Sequence, residues 1–267
     1  MLQDGMPVEL VAKYSKLSTE EINKLKDLLE GIKTEEAKNL TIYTGKINGH
    51  DVILAKSGVG KVCATLNTQY IIDKYSPETI INTGVAGGIG KDLSIGDVVI
   101  GENLIQHDFD ATALGYAKGY MCNGINPDKP TVFFSDKKLV DFAEQLLKSN
   151  LKNSNVHRGR IATGDMFVGT VEKKQEIGQI FGAIAAEMEG CAIAQTSNAN
   201  NIPSKNYKIY MLTDGTASYS FFNEMFDIGI VISISFSRTN SNNSFVLSSL
   251  ISTPVANPST ISQEGAI

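Results

Sequence analysis

Two glutamates, Glu187 and Glu189, stand inside the otherwise apolar run Ala185-Ala186-Glu187-Met188-Glu189-Gly190-Cys191-Ala192-Ile193-Ala194. Burying an ionised carboxylate costs several kcal/mol unless it is paired or hydrogen-bonded. No Lys or Arg stands beside either residue in the run, so the pattern asks for another partner. A ligand rich in hydroxyls would serve.

Other residue groupings carry less chemistry. His107-Asp108-Phe109-Asp110 has metal-ligand residue types, but the chain holds only His50, His107 and His157 and offers no second cluster. A stable site normally needs three or four convergent ligands, so no metal is expected. Lys61 follows the glycine turn Ser57-Gly58-Val59-Gly60, yet the spacing Gly-x-x-x-x-Gly-Lys-Ser/Thr of a P-loop is absent. A structural or solvated lysine is the expectation. Cys63, Cys122 and Cys191 are odd in number and widely spaced, which suits reduced thiols better than a disulfide framework.

The elements that must position these groups read as a layered α/β arrangement. Pro7 suits a first helical position and Glu9 to Lys16 a short helix. Ser18-x-x-Glu21 is a capping box, and Ile22, Leu25, Leu28 and Leu29 continue a helical period that Gly31 is placed to stop. Leu40 to Lys46 and Asp51 to Lys56, joined by Asn48-Gly49, predict a β-hairpin. A glycine turn, a helix through Ile72 and the β-branched strand Thr79 to Gly84 follow, with further strands at 97–100 and 158–163 and a helix at 136–147. A conformational need for positive φ explains each glycine turn taken alone. No internal repeat or interdomain linker is apparent.

Bulk properties bound the class. The chain has 267 residues, 42% of them hydrophobic, and a formal net charge of −5, enough for one sizeable core. Neither a nucleic-acid partner nor a membrane is expected, and the N-terminus shows no charged-then-apolar signal pattern. A cytoplasmic location is the default expectation.

In combination the glycine turns are far more specific. Ser57-Gly58-Val59-Gly60-Lys61-Val62, Ile81-Asn82-Thr83-Gly84-Val85-Ala86-Gly87-Gly88, Gly164-Asp165-Met166-Phe167-Val168, Ala186-Glu187-Met188-Glu189-Gly190 and Thr213-Asp214 occur in one family's order and rough spacing. The chain resembles the 5′-methylthioadenosine/S-adenosylhomocysteine nucleosidases of the nucleoside phosphorylase superfamily, over roughly residues 5 to 225. The resemblance implies a single α/β domain with a central twisted mixed sheet flanked by helices, a homodimer, a small-molecule nucleoside substrate and no cofactor. The implied reaction is hydrolysis of the N-glycosidic bond of a 5′-thioadenosine, releasing adenine and a thioribose.

Such a cleavage develops positive charge on the ribose and negative charge on the departing base, so it needs a proton donor at the base and an activated water. By its match to the family, Asp214 would protonate adenine, a role that a burial-raised pKa suits. Glu9 would activate the water, although a first-turn glutamate also complements a helix dipole. Glu189 would grip the ribose hydroxyls with its paired acceptors, with Met188 against the sugar face and Glu187 in support. Phe167 would stack on the base while the backbone of Val168 meets its edge. Val59, Ala86, Gly87 and Phe222 would complete the binding site, and Leu114 and Tyr116 of the partner subunit would line the 5′ pocket.

Departures from the family pattern keep two alternatives open, a purine nucleoside phosphorylase and a catalytically weakened nucleoside-binding homologue. Phosphorolysis is disfavoured because related phosphorylases carry an Arg where this chain reads Asn82-Thr83-Gly84, leaving an anion without its cation. Tyr210 stands where the family has an Arg, and only five residues precede Met6, too few for the family's first strand. From Ile228 onward the only charged residues are Arg238 and Glu264. The expected organisation is therefore an α/β domain over 1–227 and a divergent Ser/Asn/Thr-rich segment over 228–267, within which Ile230 to Phe236 alternates like a strand. The family's closing amphipathic helix is not legible there.

Overall fold

A computed structural model describes residues 26–27, 29–37, 40–47, 50–77, 79–94, 97–121, 124–150, 155–200, 209–215 and 229–235. The strands are β1 (Glu30–Ala37), β2 (Leu40–Ile47), β3 (His50–Gly58), β4 (Thr79–Val85), β5 (Gly87–Gly88), β6 (Asp97–Gln106), β7 (Phe133–Phe134), β8 (Val156–Thr163), β9 (Ala183–Glu187), β10 (Ile209–Gly215) and β11 (Gly229–Ser235). The helices are α1 (Lys61–Tyr75), α2 (Lys137–Asn150), α3 (Val171–Phe181) and α4 (Gly190–Ala199). The result is a mixed sheet flanked by helices.

The sheet runs β1-β2-β3-β11-β4-β10-β6-β8-β9-β5, with β7 paired to β6. β4 and β10 are parallel, β10 and β6 antiparallel, and β6, β8 and β9 parallel. Ala86 alone separates β4 from β5, and Gly87 pairs with Ala186 of β9. The path β4-β10-β6-β8-β9 therefore returns to the end of β4, closing this half of the sheet into a small barrel, while β1, β2 and β3 extend from it as an antiparallel ribbon. Closure removes the exposed edge that an open sheet would present.

The core follows from the sequence pattern. β3 alternates little because Val52, Ile53, Leu54 and Ala55 are all buried, as expected of a strand covered on both faces. Ala64, Ile71 and Ile72 of α1 pack with Ala192 and Ile193 of α4 and with Leu40, Ile42, Ile53 and Ile80 of the sheet. Ile105, Ala162, Ala183 and Ala186 on the barrel strands form a second cluster with Ile177 and Phe181 of α3.

The hairpin, α1, β4 and the strand ending at Thr163 fall where the sequence places them. One boundary differs. Lys26 and Asp27 are helical, but β1 already begins at Glu30 and Gly31 lies inside it with φ of +64° rather than stopping a helix. β1 reads Glu-Gly-Ile-Lys-Thr-Glu-Glu-Ala and is mostly exposed, so it lacks the apolar alternation that marks a strand. The short helix at Glu9 to Lys16 and the capping box at Ser18 lie outside the described residues.

The α1–α4 contact should dominate stability of this layer. Ile193→Ala, which empties a fully buried site, is expected to lower unfolding free energy by about 2–5 kcal/mol. Urea denaturation measures it, and a loss below about 1 kcal/mol would contradict the packing.

Candidate active site

The site is built where two helix N-termini meet. The first four N–H groups of a helix have no partner within it, and here buried side chains supply the acceptors. At α4, Glu187 Oε2 accepts from the Glu189 and Gly190 amides at 2.8 and 2.7 Å, and Thr163 Oγ1 accepts from the Cys191 amide at 2.8 Å. Thr163 in turn donates its hydroxyl proton to Glu187 Oε1. Thr163 ends β8 and Glu187 ends β9, so adjacent parallel strands deliver both groups to one helix start. Burial pushes the Glu187 carboxyl above its ordinary value, opposed by its bonds to Thr163 and the two amides.

Glu189 occupies the N-cap position of α4, yet its side chain does not cap that helix. It crosses to α1, where Glu189 Oε1 accepts from the Gly60 amide at 2.6 Å. Asp165 Oδ1 accepts from the next amide, Lys61, at 2.7 Å. Gly60 is the N-cap of α1 with φ of +85°, and a Cβ there would stand 2.9 Å from Asp165 Oδ1. Only glycine gives both the conformation and the clearance.

A second layer holds this turn. Lys61 Nζ donates to Asp108 Oδ1 at 2.7 Å and to Gln106 Oε1 at 3.0 Å, and Asp108 Oδ2 accepts from the Asp165 amide at 2.8 Å. Burial raises the Asp108 carboxyl, but Lys61 and the Asp165 amide outweigh it and hold it below the usual aspartate value. Lys61 is thus a structural cation. His107 is 1% exposed, and its ring nitrogens have no hydrogen-bond partner among the described residues. A Cβ at Gly164 would stand 2.4 Å from His107 Nε2, so the glycine after β8 lets the imidazole pack against the backbone. Burial pushes the His107 pKa down, against the pull of Asp108.

These contacts join segments that are far apart in the sequence. Gly60 meets Glu189, Lys61 meets Asp165, the Gly164 amide donates to the Glu187 carbonyl at 3.0 Å, and Gly87 pairs with Ala186. Asp214, in β10, is in register with Val85 of β4 and Val98 of β6, beside the strand end that leads to Ala86 and Gly87. Ala86 and Val168 are buried, Val59 and Phe167 partly exposed, and Met188 half-buried. Glu9 and Phe222 lie outside the described residues.

One sequence inference is corrected by this geometry. Glu187 needs no ligand to offset its burial, because Thr163 and two backbone amides satisfy it. Thr163, Asp108 and Asp165 were not legible as site-building residues. Their signal was only that each sits at or just beyond the end of a strand, where side chains reach the neighbouring helix start. Among the described residues no group of three or more His, Cys, Asp and Glu is gathered to hold a metal, and no helix is long and apolar enough to cross a membrane.

The fold and this junction define a class, the phosphorylase superfamily, whose family model matches residues 11–227. Relatives narrow it. The 5′-methylthioadenosine/S-adenosylhomocysteine nucleosidase of Staphylococcus haemolyticus is 39% identical over 204 residues, covering 76% of this chain and 86% of the relative. The enzyme of that name from Neisseria meningitidis, solved with methylthio-immucillin-A, superposes with a TM-score of 0.64 at 37% identity, covering 72% of this chain and 79% of that one. The Colwellia psychrerythraea enzyme, solved with adenine, gives a TM-score of 0.66 at 31% identity, covering 75% and 80%. The chain belongs to the 5′-methylthioadenosine/S-adenosylhomocysteine nucleosidase family of that superfamily.

Two measurements check the junction. Glu187→Leu strands the Glu189 and Gly190 amides and the Thr163 hydroxyl, and should destabilise the protein by about 2–5 kcal/mol. Glu187→Gln keeps one acceptor and should lose about 1 kcal/mol; equal losses in urea melts would contradict the account. For His107, the unfolded chain takes a proton near pH 6.5 while the buried ring resists it, so the unfolded state binds more protons as pH falls below that value. Thermal stability should therefore decline from pH 7 to pH 5, and His107→Phe, which cannot titrate, should show a flatter profile. Identical slopes would refute the assignment.

Proposed function

We propose that this chain hydrolyses the N-glycosidic bond of 5′-methylthioadenosine and S-adenosylhomocysteine, releasing adenine and the thioribose product. The observation that carries the reading is the Gly60–Glu189 bond, which fixes a buried carboxylate where the turns after β3, β4, β8 and β9 converge. Family membership supplies the chemistry of the ligand.

In this reading Glu189 accepts from the ribose hydroxyls, a bidentate task suited to its paired oxygens, and Met188 packs on the sugar. Phe167 stacks on adenine, Val168 meets the base edge through its backbone, and Val59, Ala86, Gly87 and Phe222 complete the walls. Asp214 protonates the departing base, and Glu9 takes a proton from the attacking water. The nucleophile is water because residues 82–84 are Asn-Thr-Gly and supply no cation for phosphate.

The active species is a cytoplasmic homodimer. Val62 and Leu66, one turn apart on α1, are 68% and 64% exposed, and Leu114 is 76% exposed. Exposed apolar side chains in such groups favour a protein partner, and Leu114 and Tyr116 of the partner subunit close the 5′ pocket. Residues 1–227 carry the proposed catalytic and binding residues, and the divergent segment 228–267 contributes β11 to the same sheet.

Purified protein incubated with methylthioadenosine, with and without phosphate, tests the proposal. Adenine release should need no phosphate, and Asp214→Asn or Glu9→Gln should lower turnover by about 10²-fold or more. Strict phosphate dependence would select a phosphorylase. Binding without turnover would select a nucleoside-binding homologue, and full activity in either variant would overturn that residue's role.

A further inference from the structure

β3 and β4 are each antiparallel to β11 and hence parallel to one another, with α1 crossing between them. A helix is about 10 Å wide, two strand spacings of about 4.8 Å, so the β3–α1–β4 crossover spans a place for one strand. The walls of that place are buried. Val52, Ile53, Leu54 and Ala55 on β3 and Thr79, Ile80, Ile81 and Asn82 on β4 are each at most 6% exposed. Were the place empty, the facing N–H and C=O groups of both strands would lie in apolar surroundings without partners, which native proteins avoid.

The strand that fills it comes from the far end of the chain. Gly229 to Ser235 pairs with β3 at seven positions from Gly58 to Asp51 and with β4 at five positions from Thr83 to Thr79. Its sequence, Gly-Ile-Val-Ile-Ser-Ile-Ser, is β-branched, uncharged and free of proline, as a central strand requires. By sequence, β11 follows every element it joins. Its first residues register beside the site, with Gly229 opposite Gly58 and Ile230 opposite Thr83.

We propose that the space between β3 and β4 is a strand-acceptor site for an extended, apolar, β-branched peptide, occupied in this chain by its own residues 229–235. The inserted strand joins the β1–β3 ribbon to the barrel and sets the separation between the Gly58-Val59-Gly60 turn and the end of β4. Without it the ribbon has no ladder to the barrel, α1 is held by its packing on α4 and by the bonds of Gly60 and Lys61, and the Gly60–Glu189 contact loses its backbone support.

Full-length Ile232→Pro removes a ladder N–H and fixes φ, at a position paired with both Leu54 and Ile81. Hydrogen exchange at those amides of β3 and β4 that face β11 is expected to accelerate about 100-fold or more, while Ile161 and Ala162 in β8 keep their protection. A synthetic peptide of residues 227–236 should restore protection in β3 and β4. Unchanged exchange in the variant, or protection lost and not recovered with the peptide, would overturn the proposal. Where the variant fails to fold, the Ile53→Cys/Ser233→Cys chain decides, since these positions are in register. An intramolecular disulfide mapped by mass spectrometry supports the site, and an intermolecular one or none overturns it. Neither readout depends on catalysis, so failure here is distinct from failure of the nucleosidase reading.

Discussion

The burial of Glu187 is the constraint on which the site depends. Its carboxylate is 4% exposed and remains tolerable only because a hydroxyl and two amides at the start of α4 surround it. Helix N-termini carry partial positive charge, so the same arrangement that satisfies the amides stabilises the carboxylate. Because Glu187 and Thr163 do this work at α4, Glu189 is released from capping its own helix and turns toward Gly60. One glutamate builds the helix start, and the other is thereby free to face the junction. The two residues that looked equivalent in sequence have different partners for this reason.

The same logic recurs at α1. Glu189 and Asp165 take the Gly60 and Lys61 amides, so two helix starts are cross-linked through acidic side chains that each belong to the opposite wall. This concentrates negative charge, and Lys61 offsets part of it through Asp108, with side chains that are 18% and 17% exposed. Partial burial makes such a pair stronger than a surface ion pair, and its value here is orientation, since Asp108 also holds the Asp165 amide. The glycine turn is therefore gripped from three sides.

Much of the scaffold was legible because local signals agreed with the fold. Asn48-Gly49 marked a hairpin, the period through Ile72 marked α1, and the β-branched run Thr79 to Gly84 marked β4. β1 was not legible, since an exposed edge strand needs no apolar alternation. The roles of Thr163 and Asp165 were hidden for a different reason: a polar residue at a strand end has many possible partners until the neighbouring helix is placed. The proposed placement of Asp214 beside the base rests on its register with Val85, and Glu9 on family membership alone. Sequence pattern exposes burial more readily than it exposes which amide a buried carboxylate will meet.

Closure of the barrel explains why dispersed segments meet at all. With only Ala86 between β4 and β5, the chain cannot leave the sheet at the end of β4 and must pass directly to the end of β9, carrying Ala86 and Gly87 toward Glu187 and Glu189. Register then leaves little freedom, because a slip of one residue in β9 would exchange the faces of Ala186 and Glu187 and place the carboxylate away from α4. The charged junction thus depends on a backbone constraint that lies outside it. The helix caps specify the register, and the closed sheet holds the caps in reach.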